Sequence, residues 1–151
     1  AGPAKIGKVV GGSAKAGQQL ITKFLTNMPK LKELRENVVE ASQVGTIEAL
    51  DGRLLHIRAD YASLNTLLQG AGAIICKQWL VHITERIHKS GVDAKLVASI
   101  HDEYQFEVAK KDANKFGQIT KDAMKETEKT LDVKCPLDCD FKIGTTWMET
   151  H

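Results

Sequence analysis

The residues best suited to chemistry are His101, Asp102 and Glu103, within the stretch Ser99–Val108, SIHDEYQFEV. Two runs that alternate like strands meet there and put two acids side by side at the join. Burying a carboxylate unpaired is costly, so adjacent carboxylates at a turn are either solvated or bound to a cation. Mg2+ suits the second case, because that ion keeps most of its waters and takes only one or two protein carboxylates beside a substrate phosphate. A solvated polar turn is the plain alternative. His101 precedes the pair at the strand end, where it can donate to a phosphate or a sugar. A hydrolase built on His101 and Asp102 is disfavoured, since no nucleophile with supporting neighbours accompanies them.

A second set lies upstream. Asn65, Gln69, Gly72 and Cys76 follow helical spacing and form a polar-to-small stripe on one face. Gly70 and Gly72 each cost a helix roughly 0.5–1 kcal/mol relative to alanine, which predicts a close approach by a neighbouring strand or by a nucleic-acid backbone. Asn and Gln can donate to the minor-groove acceptors that every base pair offers in similar positions. Such a pair grips DNA without reading its sequence.

Other candidates fall away. Cys135 and Cys139 lack the second Cys pair or His that would complete a zinc site. His56, His82 and His88 show no partner pattern and are expected on the surface or on helix faces, and the terminal His151 says nothing alone. An odd cysteine count of 3 and no signal-like apolar start predict a reducing, cytoplasmic setting. No window approaches the ~18 apolar residues of a membrane span. The balance of 21 basic against 19 acidic residues neither favours nor excludes a polyanion partner. The first third is more basic, with Lys5, Lys8, Lys15, Lys23, Lys30, Lys32 and Arg35 facing Glu33 and Glu36; it can meet phosphate or simply be a solvated helix surface.

The elements that must position these residues follow from period and punctuation. A length of 151 residues, 42% of them apolar, predicts one compact unit. Leu20, Ile21, Phe24 and Leu25 give a helix from about Ala14, stopped at Asn27-Met28-Pro29, and Leu31, Leu34 and Val38 give a second to about Ser42. Thr46–Ala49 and Leu54–Ile57 flank Asp51-Gly52 as a short hairpin. Leu64, Leu68, Ala71, Ile75, Trp79, Ile83 and Ile87 define one long helix to about Lys89, ended by Gly91. Lys95–Ile100 and Tyr104–Val108 form an antiparallel hairpin with three residues at its turn. Asp112 caps a helix to about Leu131, and Pro136–Ile143 is a last strand before a loose tail. The fold class is therefore α+β, an antiparallel sheet covered by helices.

With these residues in place, the chain resembles family A, or polymerase I-like, DNA polymerases. ASIHDEYQFEV resembles motif C, the strand–turn–strand carrying His-Asp-Glu; LDGRLLHIRADYASLNTLLQGAGAIICKQWL resembles the Asp-Gly-Arg hairpin and long palm helix before it; and PLDCDFKIGTTWMETH resembles the C-terminus. The wording is closer to phage replicative members than to bacterial repair enzymes. The resemblance covers essentially the whole chain, and it rests on the order and separation of motifs that are each short.

It implies a fragment of a right-hand polymerase: 1–45 as the distal fingers helices, in part, and 46–151 as the C-terminal part of the palm. It implies two-metal catalysis of nucleotidyl transfer to a primer 3′-hydroxyl, with two Mg2+ ions roughly 3.5–4 Å apart. Asp102 is then a metal ligand, Glu103 an acid near the metals with a lesser role, and His101 a neighbour of the primer terminus. Asn65 and Gln69 hold the primer–template through the minor groove, and Arg53 meets backbone phosphate. Tyr61 stands where bacterial relatives have a DNA-contacting arginine. The family's other metal-binding aspartate, and the helix that binds the incoming dNTP, belong before Ala1, so an N-terminal polymerase portion is an expected partner. The absence of an initial methionine fits processing, truncation or a piece of something longer. The chain alone is expected to be inactive and to self-associate through an exposed palm edge. The alternative is a stand-alone DNA-binding module that has kept the grip without the chemistry.

Overall fold

The structure is a computed structural model and describes residues 2–150. Its chain divides into two compact units, Ala1–Ile47 with His56–Thr66, and Glu48–Leu55 with Leu67–His151. Composition alone predicts one unit, whereas the core of buried side chains around Trp79 and Ile83 belongs to the second unit.

In the first unit, α1 (Pro3–Val9) opens with a proline at its first turn, where the missing N–H costs nothing. Apolar periodicity does not predict this helix, because seven residues hold less than two full turns. Helix α2 (Ala14–Asn27) is capped by Ser13, whose hydroxyl accepts the Ala16 N–H at 3.3 Å. The two helices lie so close that a Cβ on Gly17 would stand 2.0 Å from the Pro3 carbonyl oxygen. Helix α3 (Pro29–Ala41) runs into a 3-10 turn at Ser42–Val44 and stops at Gly45, φ 82°. Val38 and Ile47 are buried, whereas Leu20, Phe24 and Leu34 of the expected apolar faces are exposed.

Strands β1 (Thr46–Glu48) and β2 (Leu54–His56) form the expected hairpin. Gly52 takes φ 82° and donates its N–H to the Ala49 carbonyl at 2.9 Å. Asp51-Gly52 is the reason the chain turns there.

The second unit is organised by α4 (Ser63–Ser90), whose first turn lies in the other unit. Gly91 ends it at φ 66°, with its N–H on the Ile87 carbonyl at 3.1 Å. Strands β3 (Ala94–Ile100) and β4 (Glu103–Val108) pair antiparallel, and α5 (Ala113–Thr130) follows. The core joins Trp79 and Ile83 of α4 to Phe116, Ile119, Ala123 and Met124 of α5, with Tyr104, Phe106 and Val108 of β4 packed against it. The Trp79 indole N–H donates to the Thr120 carbonyl at 2.9 Å, a buried bond that fastens α4 to α5.

Several expectations need correction. Asp112 precedes α5 but makes no side-chain cap bond, because its φ of −102° and ψ of −6° are not those of an extended cap residue. Pro136–Ile143 is not a strand: among the described residues it has no ladder partner, although Leu137 and Cys139 pack on the core. The tail carries a short helix, α6 (Trp147–Thr150). Leu68 is exposed, and His82 is buried rather than superficial. The His82 Nε2 lies 3.1 Å from both Gln78 Nε2 and Thr130 Oγ1, polar neighbours on two helices that a one-helix pattern could not reveal. The closing His151 of the C-terminal motif lies outside the described residues.

Candidate active site

The acidic turn is tighter than predicted. Ile100 pairs with Glu103, so the loop holds only His101 and Asp102, and Glu103 begins β4. His101 sits at φ 53° while Asp102 does not take positive φ, the sign pattern of a type II′ hairpin turn. That turn matches the right-handed twist of the flanking strands, and histidine tolerates the left-handed region better than most side chains. An irregularity between Leu96 and Ala98 leaves Val97 as an extra residue in β3. Such a bulge increases local twist and re-aims the strand end that carries the turn.

His101 and Asp102 are exposed, and Glu103 is half-buried. Tyr104, next along β4, turns inward against Trp79, which ties the acidic tip to α4. The charge of Asp102 reaches the thiol of Cys76: burial raises that thiol above the ordinary cysteine range, and Asp102 raises it further. The tip of the hairpin therefore lies near Cys76 of α4. Burial, and then Cys76, likewise raise the Tyr104 phenol.

Along that stripe Gln69 and Gly72 are exposed, and Asn65 is exposed one turn before Gln69. The two glycines separate in role. A Cβ on Gly70 would meet Leu55 Cδ1 at 2.7 Å, so a neighbouring strand explains it, whereas a Cβ on Gly72 would meet nothing within 4 Å. Gly72 leaves the helix surface flat between Gln69 and Cys76.

Arg53 does not stand free. Its Nε lies 2.9 and 2.8 Å from the two carboxylate oxygens of Asp51, and Nη2 lies 2.5 Å from Oδ2. The Arg53 hydrogen bond holds the Asp51 carboxyl below its usual range, and Asp51 raises Arg53. The pair is exposed, so a phosphate can compete for the guanidinium. Tyr61 is 89% exposed, in keeping with a surface role.

Hard carboxylate oxygens at an open turn suit Mg2+, and Asp102 and Glu103 supply two such groups. Among the described residues no group of three or more His, Cys, Asp or Glu side chains can hold a metal. The donor set fits a shared ion and not a self-sufficient protein cage. Sequence reasoning missed Gln105, which donates from Nε2 to Glu103 Oε1. The signal was present, since residues two apart on a strand share a face.

The profile of DNA polymerase family A matches residues 1–149. A DNA-directed DNA polymerase of Enterobacteria phage T3 is 36% identical over the whole chain, which spans 25% of that relative. DNA polymerase I of Bacillus caldotenax is 26% identical over 91% of the chain, which spans 17% of the relative. The chain thus spans about a quarter or less of the length of these curated relatives. Among solved structures, the POL domain of Pol1 from M. smegmatis, in complex with DNA primer-template and dNTP, superposes with a TM-score of 0.76 at 19% identity. The match covers 91% of this chain and 25% of that one, and shows the likeness of fold.

Proposed function

The chain belongs to DNA polymerase family A, and from that premise we propose that it is the C-terminal portion of a DNA-directed DNA polymerase of the phage replicative type. Residues 1–45 are read as distal fingers helices and 46–151 as the motif C half of the palm. The observation that carries this reading is the exposed acidic turn at 101–103, tied to α4 through Tyr104 packed against Trp79, with the Asp102 charge felt at Cys76.

Asp102, with Glu103 beside it, would hold Mg2+, which when bound would supply charge stabilisation for nucleotidyl transfer to a primer 3′-hydroxyl. His101, exposed at the first turn position, donates to the primer terminus. Asn65 and Gln69 donate to minor-groove acceptors near the growing end, a grip independent of sequence. Flat backbone at Gly72 allows the duplex to approach the helix between Gln69 and the turn. Arg53 exchanges Asp51 for a backbone phosphate.

The site is half of an active site. An N-terminal portion supplies the other metal-binding aspartate and the dNTP-binding helix. The sheet edge favours such a completion: β4 pairs only with β3 among the described residues, and a cavity of about 300 Å3 runs between β4 and Phe141–Gly144. An unpaired edge is a template for another strand, so the isolated chain is expected to self-associate in gel filtration. No described helix is long and apolar enough to cross a membrane.

Complementation tests the reading. Mixing this chain with a separately purified N-terminal portion should restore primer extension that neither part has alone. Folded parts that associate and bind primed DNA yet extend nothing would contradict it.

A further inference from the structure

Glu103 and Gln105 lie two apart on β4, and the strand period puts them on one face. There the Gln105 amide donates from Nε2 to Glu103 Oε1, and its Oε1 accepts from Thr150 Oγ1 at 3.4 Å. An amide has one donor end and one acceptor end, so this arrangement has a direction, running from hydroxyl through amide to carboxylate. The Thr150 hydroxyl also lies 3.1 Å from the Trp147 carbonyl. One proton serves either bond, so the link to Gln105 competes with a link inside α6.

The segment that presents Thr150 is folded on itself. Glu149 accepts the Thr145 N–H at 2.5 Å and the Thr145 hydroxyl at 3.1 Å, which holds the Glu149 carboxyl below its usual range. Gly144 lets the chain pass this point, since a Cβ there would meet Glu149 Cβ at 2.6 Å. A glutamate side chain loses rotamer freedom when fixed, and a charge-assisted bond from an amide that is itself held offsets that loss.

We propose that Gln105 is a positioning residue for Glu103, fixing its carboxylate beside Asp102, and that Thr150 couples Gln105 to the C-terminal helix. The consequence for function rests on reading the turn as the polymerase acid site. Gln105 acts only through Glu103. A change at the C-terminal helix therefore reaches the acidic turn through one amide.

Two measurements test this, and they fail independently. In this chain, NMR of the Gln105 side-chain NH2 should give a displaced, slowly exchanging pair that reverts to ordinary surface behaviour in Glu103→Gln and shifts in Thr150→Val. A Gln105 NH2 already at the free position, and indifferent to Glu103→Gln, would overturn the proposal whatever the chain's function. In the polymerase assembled with its N-terminal portion, Gln105→Leu should raise the Mg2+ concentration for half-maximal extension several-fold. The KM for dNTP and the affinity for primer-template should stay as they were, and Gln105→Asn should recover part of the shift. A loss of activity that tracks Tm, with an unmoved Mg2+ midpoint, would show a merely structural residue and overturn the positioning role. Extension that survives Asp102→Asn would instead sink the reading of the turn as the polymerase acid site and leave the Gln105–Glu103 bond standing.

Discussion

The ring of Tyr104 lies 5.3 Å from that of Trp79, tilted by 47°. One residue after Glu103, β4 is thus fastened to the long helix, and the same indole is fastened to α5 through its bond to Thr120. The acidic turn is exposed, yet its root is anchored in the core. A site of this kind keeps its carboxylates in solvent while their backbone is held by packing.

Trp79→Phe tests that anchor. It removes the buried donor to Thr120 and part of a large ring, a loss expected to cost about 1–3 kcal/mol. Thermal denaturation should show the lower Tm. Amide exchange at Tyr104 should accelerate more than exchange in α2, which belongs to the other unit.

The turn itself makes an opposite prediction. His101 takes φ 53°, a region that costs a non-glycine residue roughly 1–2 kcal/mol. His101→Gly relieves that strain but loosens the unfolded chain, so stability should rise by about 1 kcal/mol or less. Primer extension by the assembled polymerase should fall over the same substitution. A more stable and less active variant would mark His101 as kept for chemistry.

Cys76 reports on Asp102 without any polymerase assay. Its thiol is raised first by burial and then by the Asp102 charge. Asp102→Asn removes the second cause, so the thiolate fraction near pH 8 increases and alkylation should quicken. It should still lag behind exposed Cys135, because burial remains. Mass spectrometry of timed alkylation gives both rates.

In the first unit, Gly17→Ala puts a Cβ about 2.0 Å from the Pro3 carbonyl oxygen and 2.6 Å from the Gly7 nitrogen. Both obstacles are backbone, so the helices must part, at a cost of about 1–3 kcal/mol or more. Circular dichroism should show loss of helix at lower temperature. Gly72→Ala, with open space around it, should instead stabilise α4 by about 0.5–1 kcal/mol while weakening affinity for primed duplex, since the added methyl stands where the DNA is proposed to approach.

Where elements announce themselves locally, they were legible. Pro29 opens α3 and Gly91 ends α4, Asp51-Gly52 makes the first hairpin, and His101–Glu103 falls at a turn. What escaped was set by distant partners. The extra residue at Val97 is visible only against its pairing with β4. Pro136–Ile143 has strand composition, and a strand also needs a neighbour to hydrogen-bond. His82 is buried because α5 brings Thr130 to it across 48 residues of sequence. At the site, residue types and spacing pointed to Asp102, Glu103, Asn65 and Gln69, but the bond from Gln105 depends on side-chain direction along β4 and on a tail whose fold is not periodic.

The most direct measurement of the central claim is primer extension by the polymerase assembled with Asp102→Asn in this chain, run beside primer-template binding. Removing one negative oxygen from the proposed metal-holding pair should abolish extension while the affinity for DNA, proposed to rest on Asn65, Gln69 and Arg53, stays nearly the same. Full extension by Asp102→Asn would contradict the account, because the turn would then be polar decoration and not half of an active site.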